Sequence, residues 1–318
     1  MSKDKCAVCG NVENNKTVVA KEMMFGFRDE FEYLECSDCG CLQIKELPKN
    51  IEKYYPDNYY SYNSKGEDHL IQTSFSKTLK RKSKKGLLNF YLKGNNPIGK
   101  MISSTYKSYY PWIKTKTLGS NSRILDIGCG WGELLLKMYN DGFRDLTGVD
   151  PYIKEEIRYK CGVTIYKKQL HELTGKFDLI MLHHAFEHMD QPLSVLKNMY
   201  DLLQPGGQVL IRIPVAACYA WRKYGVNWVQ LDAPRHFFLH TTKSIEILCK
   251  AAGFKLADVV YDSHILQFTG SEKYLRGIPL MEEADIFSPE QLTQFAEEAR
   301  RLNSVNDGDA ACFYLSKE

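Results

Sequence analysis

The run Arg123-Ile124-Leu125-Asp126-Ile127-Gly128-Cys129-Gly130-Trp131-Gly132 constrains the fold more than any other stretch of this chain. A short apolar strand leads into a glycine turn and from there into a helix. Glycines at 128, 130 and 132 let the backbone turn sharply and approach a ligand with no Cβ in the way, as a nucleotide-type cofactor requires. Asp150 stands twenty residues past Gly130, at the end of a second apolar run over 146–149. A carboxylate there can accept both hydroxyls of a ribose.

A glycine fingerprint alone does not separate two nucleotide-binding designs. The dinucleotide pattern of dehydrogenases needs glycine at position 133, where this chain has Glu133. Asp126, just before the first glycine, can take the ammonium end of a methionine. Further along, residues 177–182 read as a buried parallel strand, followed by His183-His184-Ala185-Phe186-Glu187-His188 and a helix with apolar spacing at Leu193, Leu196, Met199, Leu202 and Leu203. Pro205-Gly206-Gly207 is expected to end that helix ahead of a strand over 208–214.

In the order of these motifs the stretch from about 120 to 265 resembles the class I S-adenosylmethionine-dependent methyltransferases. The resemblance implies an α/β, Rossmann-like doubly wound sheet, here with a small N-terminal zinc ribbon. It implies S-adenosylmethionine as cofactor, held by Asp126, Gly128, Gly130, Gly132 and Asp150. By the same resemblance Gln169 and Leu170 sit where the adenine is held, and His183 lines the methionine end.

Five of the ten cysteines crowd the N-terminus. Cys6-x-x-Cys9-Gly10 and Cys36-x-x-Cys39-Gly40 each form a knuckle, and two such knuckles close a tetrahedral site, so structural zinc on Cys6, Cys9, Cys36 and Cys39 is the expectation. Residues 18–19 and 31–34 supply ribbon strands. Cys41 reads as a spare buried thiol.

The organisation expected is a ribbon over 1–48, a Tyr-rich loop and basic linker over 49–118, and a methyltransferase core over 119–318. Within the core, 215–240 reads as a substrate lid and 270–308 as a helical insertion. A cysteine-knuckle domain and a tyrosine-rich loop ahead of such a core resemble the methyltransferases acting on nucleotide-linked deoxysugars, in which tyrosines of this loop reach the substrate; Tyr59 is the candidate here. The carbon-methylating members carry a further C-terminal domain that this chain is too short to hold, so oxygen is the expected acceptor atom. The cofactor methyl is already electrophilic, and a sugar hydroxyl needs a base within hydrogen-bond reach. His184, His188 and His236 are the candidates, with Glu187 as orienting carboxylate. His236 lies in Asp232-Ala233-Pro234-Arg235-His236, a sequence that also resembles small-molecule methyltransferases of the class.

Between residues 69 and 125 there are twelve lysines and arginines and no acidic residue, in a chain of net charge +3. So concentrated a field suits the phosphates of a nucleotide- or lipid-linked sugar, a membrane face in peripheral contact, or RNA. An RNA methyltransferase is the alternative enzyme, since ribbon and basic segment together grip phosphate backbones; a non-catalytic scaffold is the alternative outside enzymes. No apolar run reaches the ~18 residues of a membrane span and the N-terminus shows no signal-peptide pattern, so a cytoplasmic protein is expected.

Overall fold

A computed structural model describes residues 4–56, 112–113 and 118–317. Tyr59 and nearly all of the basic stretch lie outside the described residues. In chain order the elements are β1 (Lys16–Lys21), β2 (Glu30–Glu35), β3 (Leu42–Ile44), β4 (Arg123–Ile127), α1 (Glu133–Asp141), β5 (Asp145–Val149), β6 (Ile157–Arg158), β7 (Thr164–Tyr166), β8 (Phe177–His183), α2 (Pro192–Leu202), β9 (Leu203–Pro214), α3 (Tyr219–Tyr224), β10 (Phe238–Leu239), α4 (Thr242–Ala252), β11 (Phe254–Tyr261), α5 (Leu266–Leu275), α6 (Pro289–Ser304) and β12 (Ala310–Lys317).

Two compact units divide the chain. One comprises Met1–Pro56, His184–Lys197 and Ile211–Leu315; the other Asp57–His183, Asn198–Leu210 and Ser316–Glu318. The second unit holds the nucleotide-type sheet. β4 pairs in parallel with β5 on one side and β8 on the other, β5 continues in parallel to β7, and β6 closes the edge antiparallel. Chain order therefore reverses at β4, and the loop leaving β4 sits at the switch point where open α/β sheets bind ligands. Ile124, Leu125, Ile180, Met181 and Leu182 are buried, as parallel strands covered on both faces must be. Leu135, Leu136 and Met138 form the buried face of α1.

The strand expected to start after Pro205-Gly206-Gly207 starts earlier, at Leu203. Proline cannot continue a helix, so α2 stops before it, but an extended chain accommodates it. The breaker lies inside β9.

In the first unit the ribbon strands form an antiparallel sheet of order β1-β2-β3-β10. The fourth strand is a surprise, because Phe238 and Leu239 come from the segment read as a lid and pair with Gln43 and Leu42. That segment is packed as core: Trp228, Leu231 and Ala233 are buried with Ala20, Tyr33 and Leu42 in one apolar cluster. Large aromatic side chains gain most from leaving water, and the ribbon supplies the apolar surface that covers them. α4 begins in a capping box, Thr241 Oγ1 accepting from Ser244 N while Ser244 Oγ accepts from Thr241 N, and it ends at Gly253 in the left-handed conformation. The Thr241 hydroxyl also donates to the Cys39 carbonyl at 2.6 Å, fastening the second cysteine knuckle to this helix. α6 has the matching start, Ser288 as cap with Pro289 in the first turn. No helix among the described residues is long and apolar enough to cross a membrane.

Candidate active site

In the second unit, the turn after β4 carries Gly128, Gly130 and Gly132 at φ values of 72°, 54° and 87°. At Gly132 a Cβ would lie 2.6 Å from Ile165 Cδ1, so a side chain there would have to displace Ile165 as well as take up the left-handed backbone. Asp150 closes over this turn: its Oδ2 accepts from Gly130 N and its Oδ1 from Tyr152 N, both at 2.9 Å. Two backbone donors fix the carboxylate while leaving lone pairs for hydroxyl donors. Asp126 is buried, and burial together with the nearby Asp150 charge pushes its carboxyl up to about 8. A protonated or cation-seeking carboxyl beside a glycine turn suits the ammonium of a methionine moiety. Gln169 caps the short helix Leu170–Glu172, and His183 ends β8 with its ring 4.6 Å from that of Trp112. These residues of the second unit fit the adenosine and methionine portions of S-adenosylmethionine.

In the first unit, His184, Glu187, His188 and His236 come together. His184 has a φ of 51°, unusual for a residue with a Cβ. Its amide donates to Arg212 O at 2.9 Å, and Arg212 Nη1 donates to its Nε2 at 3.1 Å, which leaves the proton on Nδ1, 3.6 Å from Glu187 Oε1. Glu187 is wholly buried, and neither carboxylate oxygen has a hydrogen-bond partner among the described residues. Burial opposes its charge, but the surrounding imidazoles of His184, His188 and His236 hold the carboxyl down at about 2.

His188 Nδ1 donates to Arg235 O and His236 Nδ1 to Gln230 O, each at 2.7 Å. A carbonyl can only accept, so both rings carry their proton on Nδ1 and leave Nε2 a lone pair. His236 Nε2 lies 4.0 Å from Glu187 Oε1 and 3.8 Å from Asp232 Oδ2. Burial and the neighbouring His188 push His236 down to about 4, although Asp232 and Glu187 work the other way.

The ribbon sheet holds His236 by its backbone. Tyr33 Oη donates to His236 O, Ile44 N donates to Phe237 O, and Phe237 N donates to Glu187 O, all within 2.9 Å. Beneath this lies a residue that sequence reading passed over. Arg235 is fully buried, its guanidinium donating to Glu22, to Asp232 and to Tyr54 O. Its spacing of three from Asp232 was the available signal. The partner Glu22, 213 residues away, had none.

The knuckle cysteines also converge. Cys6 and Cys39 Sγ are 3.6 Å apart, Cys9 and Cys36 3.4 Å, and all four sulfurs lie within 4.8 Å of one another. Thiolates at ~2.3 Å around one tetrahedral ion stand about 3.8 Å apart, so the donor set fits zinc. Cys41 stays outside that set; its thiol donates to Leu42 O and lies 3.9 Å from His240 Nδ1.

Residues 103–259 match the family model described as a methyltransferase domain. A ubiquinone biosynthesis O-methyltransferase from Pseudomonas aeruginosa (strain UCBPP-PA14) is 28% identical over 168 residues, covering 47% of this chain and 71% of that protein. The protein of the same name from Pseudomonas putida (strain W619) is 27% identical over the same span. Among solved structures, a SAM-dependent methyltransferase from Archaeoglobus fulgidus covers 69% of this chain and 94% of its own at 18% identity, with a TM-score of 0.40. Residues 103–259 carry a methyltransferase domain. The protein is an S-adenosylmethionine-dependent methyltransferase, and the scaffold reading gives way to an enzyme.

Proposed function

We propose that this enzyme methylates a hydroxyl oxygen of a small acceptor, a sugar or a nucleotide- or lipid-linked sugar. One observation carries the acceptor atom. A buried carboxylate and two imidazoles, whose Nδ1 protons are committed to backbone carbonyls and whose Nε2 atoms keep a lone pair, come together in one cluster. Such a group is suited to orienting a hydroxyl and receiving its proton as the new bond forms. S-adenosylmethionine supplies the electrophilic methyl, so the protein's work is alignment and proton removal. His236 and His188 serve as base candidates, Glu187 orients them, and His184 braces Glu187. Two relatives named as O-methyltransferases support oxygen as acceptor. The sugar class rests on the ribbon and tyrosine-rich loop ahead of the core. In the same reading the four knuckle cysteines bind structural zinc, with no open position for catalysis.

The test is methyl transfer from radiolabelled S-adenosylmethionine to a panel of nucleotide sugars in one arm and total RNA in the other. Label in the sugar arm supports the proposal. Label in RNA alone overturns it and makes the basic stretch the substrate platform, with affinity falling steeply in salt. On the accepted substrate, His236→Asn lowers kcat by about 10²–10⁴-fold, the usual contribution of a positioned base, while cofactor affinity measured by calorimetry is unchanged.

A further inference from the structure

The carboxylate–imidazole cluster poses an electrostatic problem that proton transfer alone does not solve. One donor atom each from Glu187, His188 and His236 lies within 4.8 Å of the other two. Each imidazole spends its Nδ1 proton on a backbone carbonyl, so Nε2 of both rings keeps a lone pair, and that of His236 lies 4.0 Å from Glu187 Oε1. A proton on His236 Nε2 would find Glu187 Oε1 at 4.0 Å and Asp232 Oδ2 at 3.8 Å, beyond hydrogen-bond reach. Both oxygens of the wholly buried Glu187 lack a hydrogen-bond partner among the described residues. Buried polar atoms left in this state are costly, and a carboxylate more than most.

Charge tells the same story. Around His236 the described residues of the first unit gather the carboxylates of Glu22, Asp232 and Glu187 against the guanidinium of Arg235. Glu22, Glu187 and Arg235 have fully buried side chains. Among the described residues the excess of negative charge is that of two carboxylates, which one divalent cation would balance.

We propose that Glu187, His188 and His236 bind a divalent first-row transition-metal ion, at a site separate from the four-cysteine cluster. Two imidazoles and a carboxylate are a donor set for Zn²⁺, Mn²⁺ or Fe²⁺ in preference to Mg²⁺ or Ca²⁺, which favour oxygen. The supporting bonds are those of ligating residues. Metal-bound histidines donate their other N–H to a carbonyl or carboxylate, as both do here, while Glu187, with His184 Nδ1 at 3.6 Å, keeps both oxygens available to an ion. Donors about 2.1 Å from one ion can stand no more than about 4.2 Å apart, and about 3.4 Å in a tetrahedral set, so the three side chains draw closer together on binding. Three protein ligands leave coordination positions open. If the acceptor reading above holds, the bound ion occupies the Nε2 lone pairs and takes over their role, lowering the pKa of an acceptor hydroxyl bound there while His188 and His236 act as ligands instead of bases; the binding itself does not depend on that reading.

Mn²⁺ is the probe, because thiolate sites select zinc whereas imidazole and carboxylate accept manganese. The full-length protein, its zinc retained, is titrated with Mn²⁺ in the absence of cofactor and acceptor, and free Mn²⁺ is followed by its paramagnetic resonance signal. One Mn²⁺ per chain is expected. Glu187→Gln and His236→Asn should each weaken it by more than about 100-fold, the upper end of what losing even a supporting partner costs, with zinc content unchanged. No bound Mn²⁺, or binding that survives both substitutions, overturns the proposal. Should a variant fail to fold, the wild type decides: Mn²⁺ must selectively broaden the imidazole resonances of His188 and His236, and uniform or absent broadening counts against the site. Metal binding is read without methyl transfer, so failure of either proposal is seen independently of the other.

Discussion

Asp126 is a carboxyl whose ionisation its surroundings oppose. Burial and the Asp150 carboxylate push it to about 8, while an unfolded aspartate titrates near ~3.9. Between those values the folded chain holds a proton that the unfolded chain has released, so this residue's contribution to stability falls as pH rises from about 4 to 8. If Asp126 takes the ammonium group of S-adenosylmethionine, binding reverses the preference and expels the proton. Calorimetry at pH 7 in buffers of different ionisation enthalpy should then show close to one proton released per cofactor, with affinity rising with pH and levelling above 8. In Asp126→Asn the release vanishes, and an unchanged proton count would separate Asp126 from the cofactor. A second residue-scale prediction concerns Gly130, whose φ of 54° a β-branched side chain adopts only under strain. Gly130→Val should abolish cofactor binding, the new Cβ occupying the backbone's approach path, and retained calorimetric heat would move the site elsewhere.

At the scale of elements, the two-residue strand β10 and the turn before it depend on distant partners. Arg235 has no water to fall back on, and replacing it with methionine strands Glu22 and Asp232 as buried carboxylates. Arg235→Met should cost about 3–5 kcal/mol, read as loss of amide-exchange protection in β2, β3 and β10. Protection should partly return in the double variant with Glu22→Gln, which removes one stranded charge. This also marks where sequence reading stopped. β4, β5, β8, α4 and α6 were legible because apolar runs, caps and glycines act locally. β10 was not, because Phe238 and Leu239 become a strand only through Gln43 and Leu42, almost two hundred residues earlier. The packing within 215–240 was hidden for the same reason: Trp228 and Leu231 look exposed on a loop until the ribbon's Tyr33 and Leu42 cover them. Glu187 and His236 were each singled out, yet only the fold brings their atoms within 4.0 Å.

On the whole-molecule scale, the ribbon is built into the same unit as the imidazole cluster, while the glycine turn and Asp150 belong to the other. Tyr33 Oη on His236 O, Ile44 N on Phe237 O and Thr241 Oγ1 on Cys39 O tie the knuckles to the backbone that carries the proposed base. A ribbon of three short strands has little core of its own, so the zinc proposed for its four cysteines should contribute folding free energy to this whole unit. Cys9→Ser with Cys36→Ser should therefore remove zinc, lower thermal stability and deprotect the amides of residues 230–241, taking methyl transfer with it. The amides of β4, β5 and α1, and S-adenosylmethionine binding, should persist, because no residue of that machinery lies in the unit the zinc supports. Hydrogen exchange with and without cofactor checks both halves at once. Loss of cofactor-dependent protection in β4 would mean that the two units fold as one, and intact methyl transfer in the zinc-free variant would reduce the ribbon to a passive cover.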